Sequence, residues 1–600
     1  MINILPKNIV FSLIRELTLV KGLLNVIIVM NVFPINVIIY FKSLGYSSKS
    51  KVNSNVVLNI DNKICFEPKK IAQYMNEYFL NIASILVSKL PSPMNLFSTT
   101  STLLKNFYIR RNVTANSFIL NPISEQFVNT ELSRLNISKS TGYDEIPARF
   151  LKDASSEIKG VVTHLINLSI CTNEFPDELK YAKIKPLFKK NQKTNVENYR
   201  PVSVLSILSK ILERAVHVQL EQYLNDNKIL YSHQSGFRKG HSTDTCLINL
   251  MDYLHKSISE GEYVGMVLLD LQKAFDTVDH NILCDKLKLM GIGCVDWFKS
   301  YLSNRKQIVI VDNAKSDSGI VTCGVPQGSI LGPLLFLCYI NDMLLSVKCK
   351  LYLYADDSTL LVRGKQPNLI AKSLSNNLNL CRSWLTDNKL SLHLGKTEAI
   401  LFGTKRKLKN VDDFQVKCGD TIINNVKSVK YLGLTLDCDL SGESIVSNIL
   451  KKSGGRLKFL YRYSNILNMK ARKTLCSTLI QCYFDYSCSS WYTGLNKGLK
   501  QKLQIMQNKM IRFILKLESR SHIGCNEFEK LKMLNISNRV KQIKLNHVYK
   551  IWKGTSPEYM MEHFDKISDT ELRNCTRASA NNIFLPRVQG NCTKSFFFQV

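Results

Sequence analysis

The stretch Leu351-Tyr352-Leu353-Tyr354-Ala355-Asp356-Asp357-Ser358-Thr359-Leu360-Leu361-Val362 places two adjacent aspartates between two apolar, β-prone runs. The pattern predicts a strand, an acidic turn and a strand. Two carboxylates held about 4 Å apart repel by roughly 4 kcal/mol at an effective dielectric near 20, so a fold that keeps them together has cations to bind. The turn therefore reads as a magnesium clamp. Aspartate also serves turns through its backbone hydrogen bonds, and strict strand alternation would send neighbouring side chains to opposite faces. The reading needs a third carboxylate from elsewhere in the chain.

Gly265-Met266-Val267-Leu268-Leu269-Asp270 supplies one, 86 positions before Asp356. A run apolar on both faces predicts a buried central strand, and an acid at its C-terminal end stands at the sheet edge where ligands collect. After it, from Leu271 to His280, the hydrophobic period changes to helical. Asp270 could alternatively cap such a helix. Among the acids that follow, Asp276 and Asp279 read as structural caps or ion-pair partners.

Several segments then occur in a fixed order: YAKIKPLFKK (181–190), ENYRPVSVLSILSKILERAV (197–216), HQSGFRKGHST (233–243), LLDLQKAFDTVDH (268–280), GVPQGSILGPLLFLCYINDM (324–343), YADD (354–357), KLSLHLGKTEAILF (389–402) and VKYLGLTLD (429–437). Together they resemble the fingers and palm motifs of reverse transcriptases from non-LTR (LINE, jockey-like) retrotransposons. The resemblance implies an α+β, right-hand polymerase with fingers, a palm of antiparallel sheet plus helices, and an all-helical thumb. It also implies an RNA-directed DNA polymerase that copies retrotransposon RNA into cDNA by two-metal nucleotidyl transfer, through target-primed reverse transcription.

Residue by residue, the resemblance makes Asp270, Asp356 and Asp357 the catalytic, metal-binding acids for two Mg2+ ions, with Mn2+ as a substitute. Lys396 would protonate the departing pyrophosphate. Phe275 would be the aromatic gate that excludes a ribonucleotide 2′-hydroxyl. Gln327 and Gly328 would form the loop that template and incoming nucleotide approach, where a missing Cβ is physically apt. Arg200, Lys189 and Lys190 would meet the triphosphate. Each has a plain structural alternative as core aromatic, turn residue or solvated charge.

Composition agrees with a polyanionic partner: 80 Lys+Arg against 48 Asp+Glu give a formal charge of +32 at pH 7, beyond what solubility requires. Basic residues gather at Lys451, Lys452, Arg456, Lys458, Arg462, Lys470, Arg472 and Lys473, then at Lys497, Lys500, Lys502, Lys509, Arg512 and Lys516, among helix-spaced apolar residues. These read as thumb-like helices with a basic face. The implied partners are an RNA template, a DNA primer and dNTPs, without stable membrane association; the sequence names no protein partner.

A length of 600 residues admits several packed units. The expected division is an atypical segment over 1–47, a mostly helical extension over 48–167, the reverse transcriptase region over 168–437, a thumb-like helical region over 444–555 and a truncated C-terminal segment over 556–600. Within the extension, PKKIAQYMNEYFLNIASILVSKL (68–90) is amphipathic, and NISKSTGYDEIPARFLKD (136–153) resembles the family element that packs against the fingers. Thr245 to Glu260 carries an i, i+3, i+4, i+7 apolar stripe that predicts a half-buried helix before the first palm strand. The region beyond about residue 444 reads as wholly helical.

Leu23 to Phe41 is apolar but broken by Asn25, Asn31, Pro34 and Asn36, so a membrane segment over 19–41 stands as the alternative to an artefact of where translation was taken to begin. Seventeen cysteines without a C-x-x-C pair predict reduced thiols in an intracellular protein. A nuclear location follows only from how such elements integrate. Nothing in 1–170 resembles the endonuclease that precedes this polymerase in full-length elements, so a fragment is expected, its nick made by another protein. Two alternatives stand beside the enzyme: a catalytically idle remnant that at most binds RNA, and an RNA-templated polymerase of another branch. Ala355 and the Ala274-Phe275-Asp276 context disfavour the latter.

Overall fold

The computed structural model describes residues 56–91, 106–109, 117–411 and 413–561, with two short backbone segments beyond. The expectations for 1–47 and for most of 556–600 lie outside the described residues. In chain order, the elements used below are helix α1 (Pro68–Ser88), strands β1 (Tyr181–Phe188) and β2 (Tyr199–Leu205), helices α2 (Ile207–Asp226) and α3 (Thr243–Ser259), and strands β3 (Tyr263–Leu269) and β4 (Arg305–Val311). Then come helix α4 (Leu331–Ile340), strands β5 (Lys350–Tyr354) and β6 (Asp357–Gly364), helix α5 (Pro367–Asp387) and strand β7 (Glu398–Phe402). Helices α6 (Glu443–Tyr461), α7 (Lys497–Leu515), α8 (Ile536–Trp552) and the single turn α9 (Glu558–Met561) complete the set. The chain is a mixed α+β protein.

It divides into two compact units. The first comprises the described parts of Met1–Lys89, Asn112–Asn227 and Phe275–Phe336. Its sheet pairs β2 with β1 antiparallel and β1 with β4 in parallel, and β4 continues to the short strands Ala314–Lys315 and Gly319–Val321. Helix α1 begins at a proline, whose fixed φ and missing N–H suit a first helical turn. Its apolar stripe Ile71, Ala72, Met75 and Phe79 is buried against Ala182, Ile184 and Val309 of the sheet. Polar contacts fix its register: Gln307 donates to Asn76 Oδ1 at 3.0 Å, and Asn76 donates to the Asp317 carbonyl at 2.9 Å. The segment 136–153 lies beside the same strands, with Lys183 Nζ 3.9 Å from Glu145 Oε1.

The second unit comprises the described parts of Leu90–Arg111, Lys228–Ala274 and Leu337–Val600. Its sheet runs β5, β6, β3, β7 and the short strand Asn424–Asn425, antiparallel except for the last pair. Strand β3 is central and buried along almost all its length, as its unbroken apolar run requires. Helix α3 starts at a capping box, Ser242 with Thr245, and buries Leu247, Leu250, Met251 and Leu254 in one core with Val264 and Met266. That core continues through Val429 and Leu436 into α6 and α7, which bury Ile445, Ile449, Leu457, Leu503 and Met510.

Three expectations need correction. No helix follows Asp270: Leu271–Gln272 is a short strand, Lys273 has a left-handed φ of 48°, and the helix waits until His280, capped by Asp279. Asp279 accepts the amides of Asn281 and Ile282, satisfying donors that a helix start leaves open. Beyond 444 the chain is not wholly helical, since Asp565–Lys566 pairs with Ile583–Phe584. Arg472 leaves the proposed basic face: it is buried, and its guanidinium donates to the carbonyls of Ile514 and Leu467. Among the described residues no helix is long and apolar enough to cross a membrane.

Candidate active site

The acidic turn is a two-residue hairpin. Tyr354 pairs with Asp357, leaving Ala355 and Asp356 as the central residues. Ala355 has φ 55° and Asp356 has no positive φ, the pattern of a II′ turn, which suits the right-handed twist of the flanking strands. This turn answers the objection from strand alternation, because Asp356 belongs to the bend and Asp357 to the start of β6.

Register then brings the third acid. Ser358 of β6 pairs with Leu269 of β3. Asp357 and Asp270 are the next residues at that same end, and adjacent antiparallel strands keep facing Cα atoms about 4.5–5.5 Å apart. Asp270 and Asp356 are half-buried, whereas Asp357 is exposed. Among the described residues no three His, Cys, Asp or Glu side chains are gathered closely enough to hold an ion by themselves. Magnesium seldom uses such a cage; it takes one or two carboxylates and completes its shell with water and substrate phosphate oxygens. Hard carboxylate oxygens at an open sheet edge fit that requirement.

Lys396 reaches the same place through backbone pairing. Ser391–Leu392 pairs with Leu271–Gln272, the His393 amide donates to the Asp270 carbonyl at 2.8 Å, and a short turn over Leu394–Lys396 follows. Lys396 Nζ stands 3.9 Å from Asp270 Oδ2. Both side chains are about half exposed, so the pair adds at most about 1 kcal/mol to stability.

In the first unit, the loop carrying Gln327 and Gly328 is tied down on two sides. Val325 donates to the Phe275 carbonyl, Gly324 to the Val278 carbonyl, and Ser203 of β2 to the Gln327 carbonyl, at 2.8–2.9 Å. Gln327 Nε2 donates to Asp276 Oδ1 at 2.7 Å, so Asp276 anchors this loop and does not cap the helix. Gly328 has φ 131°, and a Cβ there would sit 2.4 Å from the Ser203 carbonyl oxygen. Phe275 is half-buried and stacks on the buried ring of Phe336, with centroids 4.3 Å apart. Arg200, Lys189 and Lys190 are exposed at the far end of the β1–β2 ribbon, where Arg200 pairs with Leu187 and the Lys189 amide donates to the Asn198 carbonyl.

Residues 188–436 match the protein family described as reverse transcriptase (RNA-dependent DNA polymerase). The matched segment makes up about two-fifths of the chain. Among curated proteins, the chain is 29% identical over 411 residues to a probable RNA-directed DNA polymerase from transposon BS of Drosophila melanogaster, covering 66% of this chain and 45% of the relative. It is 27% identical to the probable RNA-directed DNA polymerase from transposon X-element of the same species, over 64% of this chain and 42% of the relative. To the RNA-directed DNA polymerase from the mobile element jockey it is 26% identical, over 66% and 44%. The chain thus spans less than half the length of these relatives.

The site also contains supporting residues that sequence reasoning did not single out. Gln234 lies under the acidic turn, its Oε1 accepting the amides of Ala355 and Gly236, both at 2.9 Å. Gly236 leaves no room for a side chain there, since a Cβ would stand 2.3 Å from the Ala355 nitrogen. On either side of Gln234, His233 and Ser235 bond the backbone of Leu353, extending the pairing of β5.

Beneath this segment sits Tyr559 of α9, stacked on His233 with centroids 5.5 Å apart. Its hydroxyl lies 3.1 Å from Ser235 Oγ and donates to Thr245 Oγ1 at 3.3 Å. In the first unit, buried Glu213 on α2 accepts the amides of Ile330 and Leu331 at the start of α4, while burial pushes its carboxyl pKa up. The motif HQSGFRKGHST had marked the neighbourhood of Gln234, but not which side chain reaches the turn.

Proposed function

We propose that the chain is an RNA-directed DNA polymerase of the non-LTR retrotransposon type. The observation that carries this reading is the register of β3 with β6. It sets Asp270 at the same sheet end as the Asp356-Asp357 turn, inside a domain that matches reverse transcriptases. In this reading the sheet of β5, β6, β3 and β7 is the palm, the β1–β2 ribbon belongs to the fingers, and α6 to α8 belong to the thumb.

Asp270, Asp356 and Asp357 would hold two Mg2+ ions, which when bound acidify the primer 3′-hydroxyl and neutralise charge on the triphosphate. The protein's own groups do the rest. Lys396 Nζ supplies a proton to the departing pyrophosphate oxygen. Phe275, stacked on Phe336, would act as the aromatic gate that excludes a ribonucleotide 2′-hydroxyl and so selects deoxynucleotides. Gln327 and Gly328 offer backbone at close range to template and incoming base, and Lys189, Lys190 and Arg200 offer charge to the triphosphate. RNA template, DNA primer and dNTPs are the partners. Support for a polyanion along α6 comes from Gly454 and Gly455, which have open space above them, between Lys451, Lys452, Arg456 and Lys458.

Extension of oligo(dT) on poly(rA) with Mg2+ tests the proposal. Template-dependent DNA synthesis that Asp356→Ala abolishes supports it. No synthesis by folded protein makes the chain an idle remnant, and incorporation of ribonucleotides in preference to deoxynucleotides moves it to another polymerase branch.

A further inference from the structure

Among the described residues, helix α8 is docked by one face. Ile536, Val540, Lys544, His547 and Ile551 are buried, at the spacing of a single stripe. The opposite face carries Leu545, Tyr549 and Trp552, which remain 59%, 63% and 42% exposed. On a helical wheel these three lie within about 60° of one another, and Lys541 and Lys553 flank them, both exposed. Lys553 Nζ stands 5.8 Å from the centroid of the Tyr549 ring.

The helix contains no aspartate or glutamate at all, so its outer face lacks the i, i+4 ion pairs that ordinarily solubilise such a surface. Of its remaining cations, Arg539 is paired with Asp485 and Lys544 is buried. What stays outward is a pair of large flat rings, one turn apart, bordered by lysines that form no ion pair among the described residues.

We propose that this face of α8 is a stacking platform for single-stranded nucleic acid. Unpaired bases offer π-faces to Tyr549 and Trp552, and the phosphates between them offer negative charge to Lys541 and Lys553. A folded protein partner with an apolar patch would leave those lysines desolvated and unpaired. An anionic bilayer would gain only three side chains of insertion from a helix whose other face is committed to the core. A duplex hides its base faces and gives the rings nothing to stack on. The inference does not require that the acids be active.

Tryptophan fluorescence reads this site directly. Of the four tryptophans, Trp297, Trp384 and Trp491 are 0%, 4% and 3% exposed, leaving Trp552 as the accessible one. Titrating the full chain with oligo(U), without nucleotides, is expected to quench emission and to protect Trp552 from iodide. Labelled oligo(U) and oligo(dU) should bind Tyr549→Ala/Trp552→Ala at least about fivefold more weakly than the parent, from the usual worth of a stacked base. Lys541→Glu/Lys553→Glu should weaken binding as well and flatten its salt dependence. Thermal unfolding of both double variants should match the parent, and extension of a short primer–template should persist in them, so failure here is separable from failure of the polymerase reading. Unquenched Trp552 with unchanged oligonucleotide affinity overturns the proposal. So does quenching by anionic vesicles but not by oligo(U), or a concentration-dependent dimer that buries Trp552.

Discussion

The side-chain oxygen of Gln234 accepts the amide of Ala355, the residue that turns the chain between Tyr354 and Asp356, at 2.9 Å. The bond joins positions 121 residues apart and leaves the turn held from below by a buried, uncharged group. Replacing Gln234 with leucine strands two buried amides, each at a cost of about 1–3 kcal/mol. Gln234→Leu is expected to lower the unfolding midpoint and to reduce kcat for primer extension by more than tenfold, with KM for dTTP changing less than threefold. A kcat equal to the parent's, in folded protein, contradicts a positioning role.

Phe275 is half-buried, with its ring stacked on Phe336. Phe275→Val opens space at that ring while keeping a β-branched side chain. The ratio of ribonucleotide to deoxynucleotide incorporation should rise by at least an order of magnitude, measured by alkali-sensitive sites in the product. An unchanged ratio removes the gate.

At Gly328 the backbone leaves no alternative residue, given φ 131° and the Ser203 carbonyl oxygen 2.4 Å from any added Cβ. Gly328→Ala should destabilise the protein by more than about 1 kcal/mol, seen as a lower denaturation midpoint. Asp276→Ala, which removes the acceptor of the Gln327 side-chain amide, should leave stability closer to the parent and raise KM for dNTP. Equal loss of stability in both variants would assign Asp276 to the fold alone.

Lys396 and Asp270 form a half-exposed pair, too wet to matter for folding. Lys396→Met should therefore leave thermal unfolding within about 0.5 kcal/mol of the parent. If Lys396 delivers its proton only as pyrophosphate departs, kcat should fall at least tenfold with little change in KM. A matching rise in KM would point to ground-state binding of the triphosphate.

Acid should loosen the support under β5. Burial, with Lys350 nearby and the rings of Tyr231, Tyr352 and Tyr559 around it, lowers the His233 pKa from 6.5 to about 4; burial and Arg238 lower His241 to about 3. Between these values and 6.5 the unfolded chain binds protons that the folded chain refuses. Stability is therefore complete above pH 6.5 and declines as pH falls toward 4, by about 1.4 kcal/mol per pH unit for each histidine within its window. His233→Gln should make the denaturation midpoint less pH-dependent between pH 6.5 and 4.5. Parallel curves for variant and parent would exclude His233 as the source.

Two kinds of information separate here. Local pattern was enough for α1, α3, β3 and the acidic hairpin, because apolar period, a capping box and an unbroken β-prone run each act within a few residues. Local pattern misread 271–279, where an apparent helical period is overruled by the pairing of Leu271–Gln272 with Ser391–Leu392 and by the left-handed Lys273. It also misread Arg472, whose charge looked solvated although its partners are carbonyls 42 and 5 residues away. Gln234 and Tyr559 had no local signal at all, since an uncharged amide and a tyrosine in a short helix look ordinary until their neighbours are known.

By itself, then, the order of side chains determined that three aspartates and one lysine would end strands or turns of a basic α+β polymerase-like chain, because strand and turn chemistry is written in nearest neighbours. Only the tertiary structure decided that Leu269 faces Ser358, that Lys396 comes within 3.9 Å of Asp270, and that Gln234 holds Ala355. Those contacts join residues between 89 and 126 positions apart along the chain. Their register is set by burial of whole faces and by the pairing of backbone donors, quantities that exist only once the strands have met.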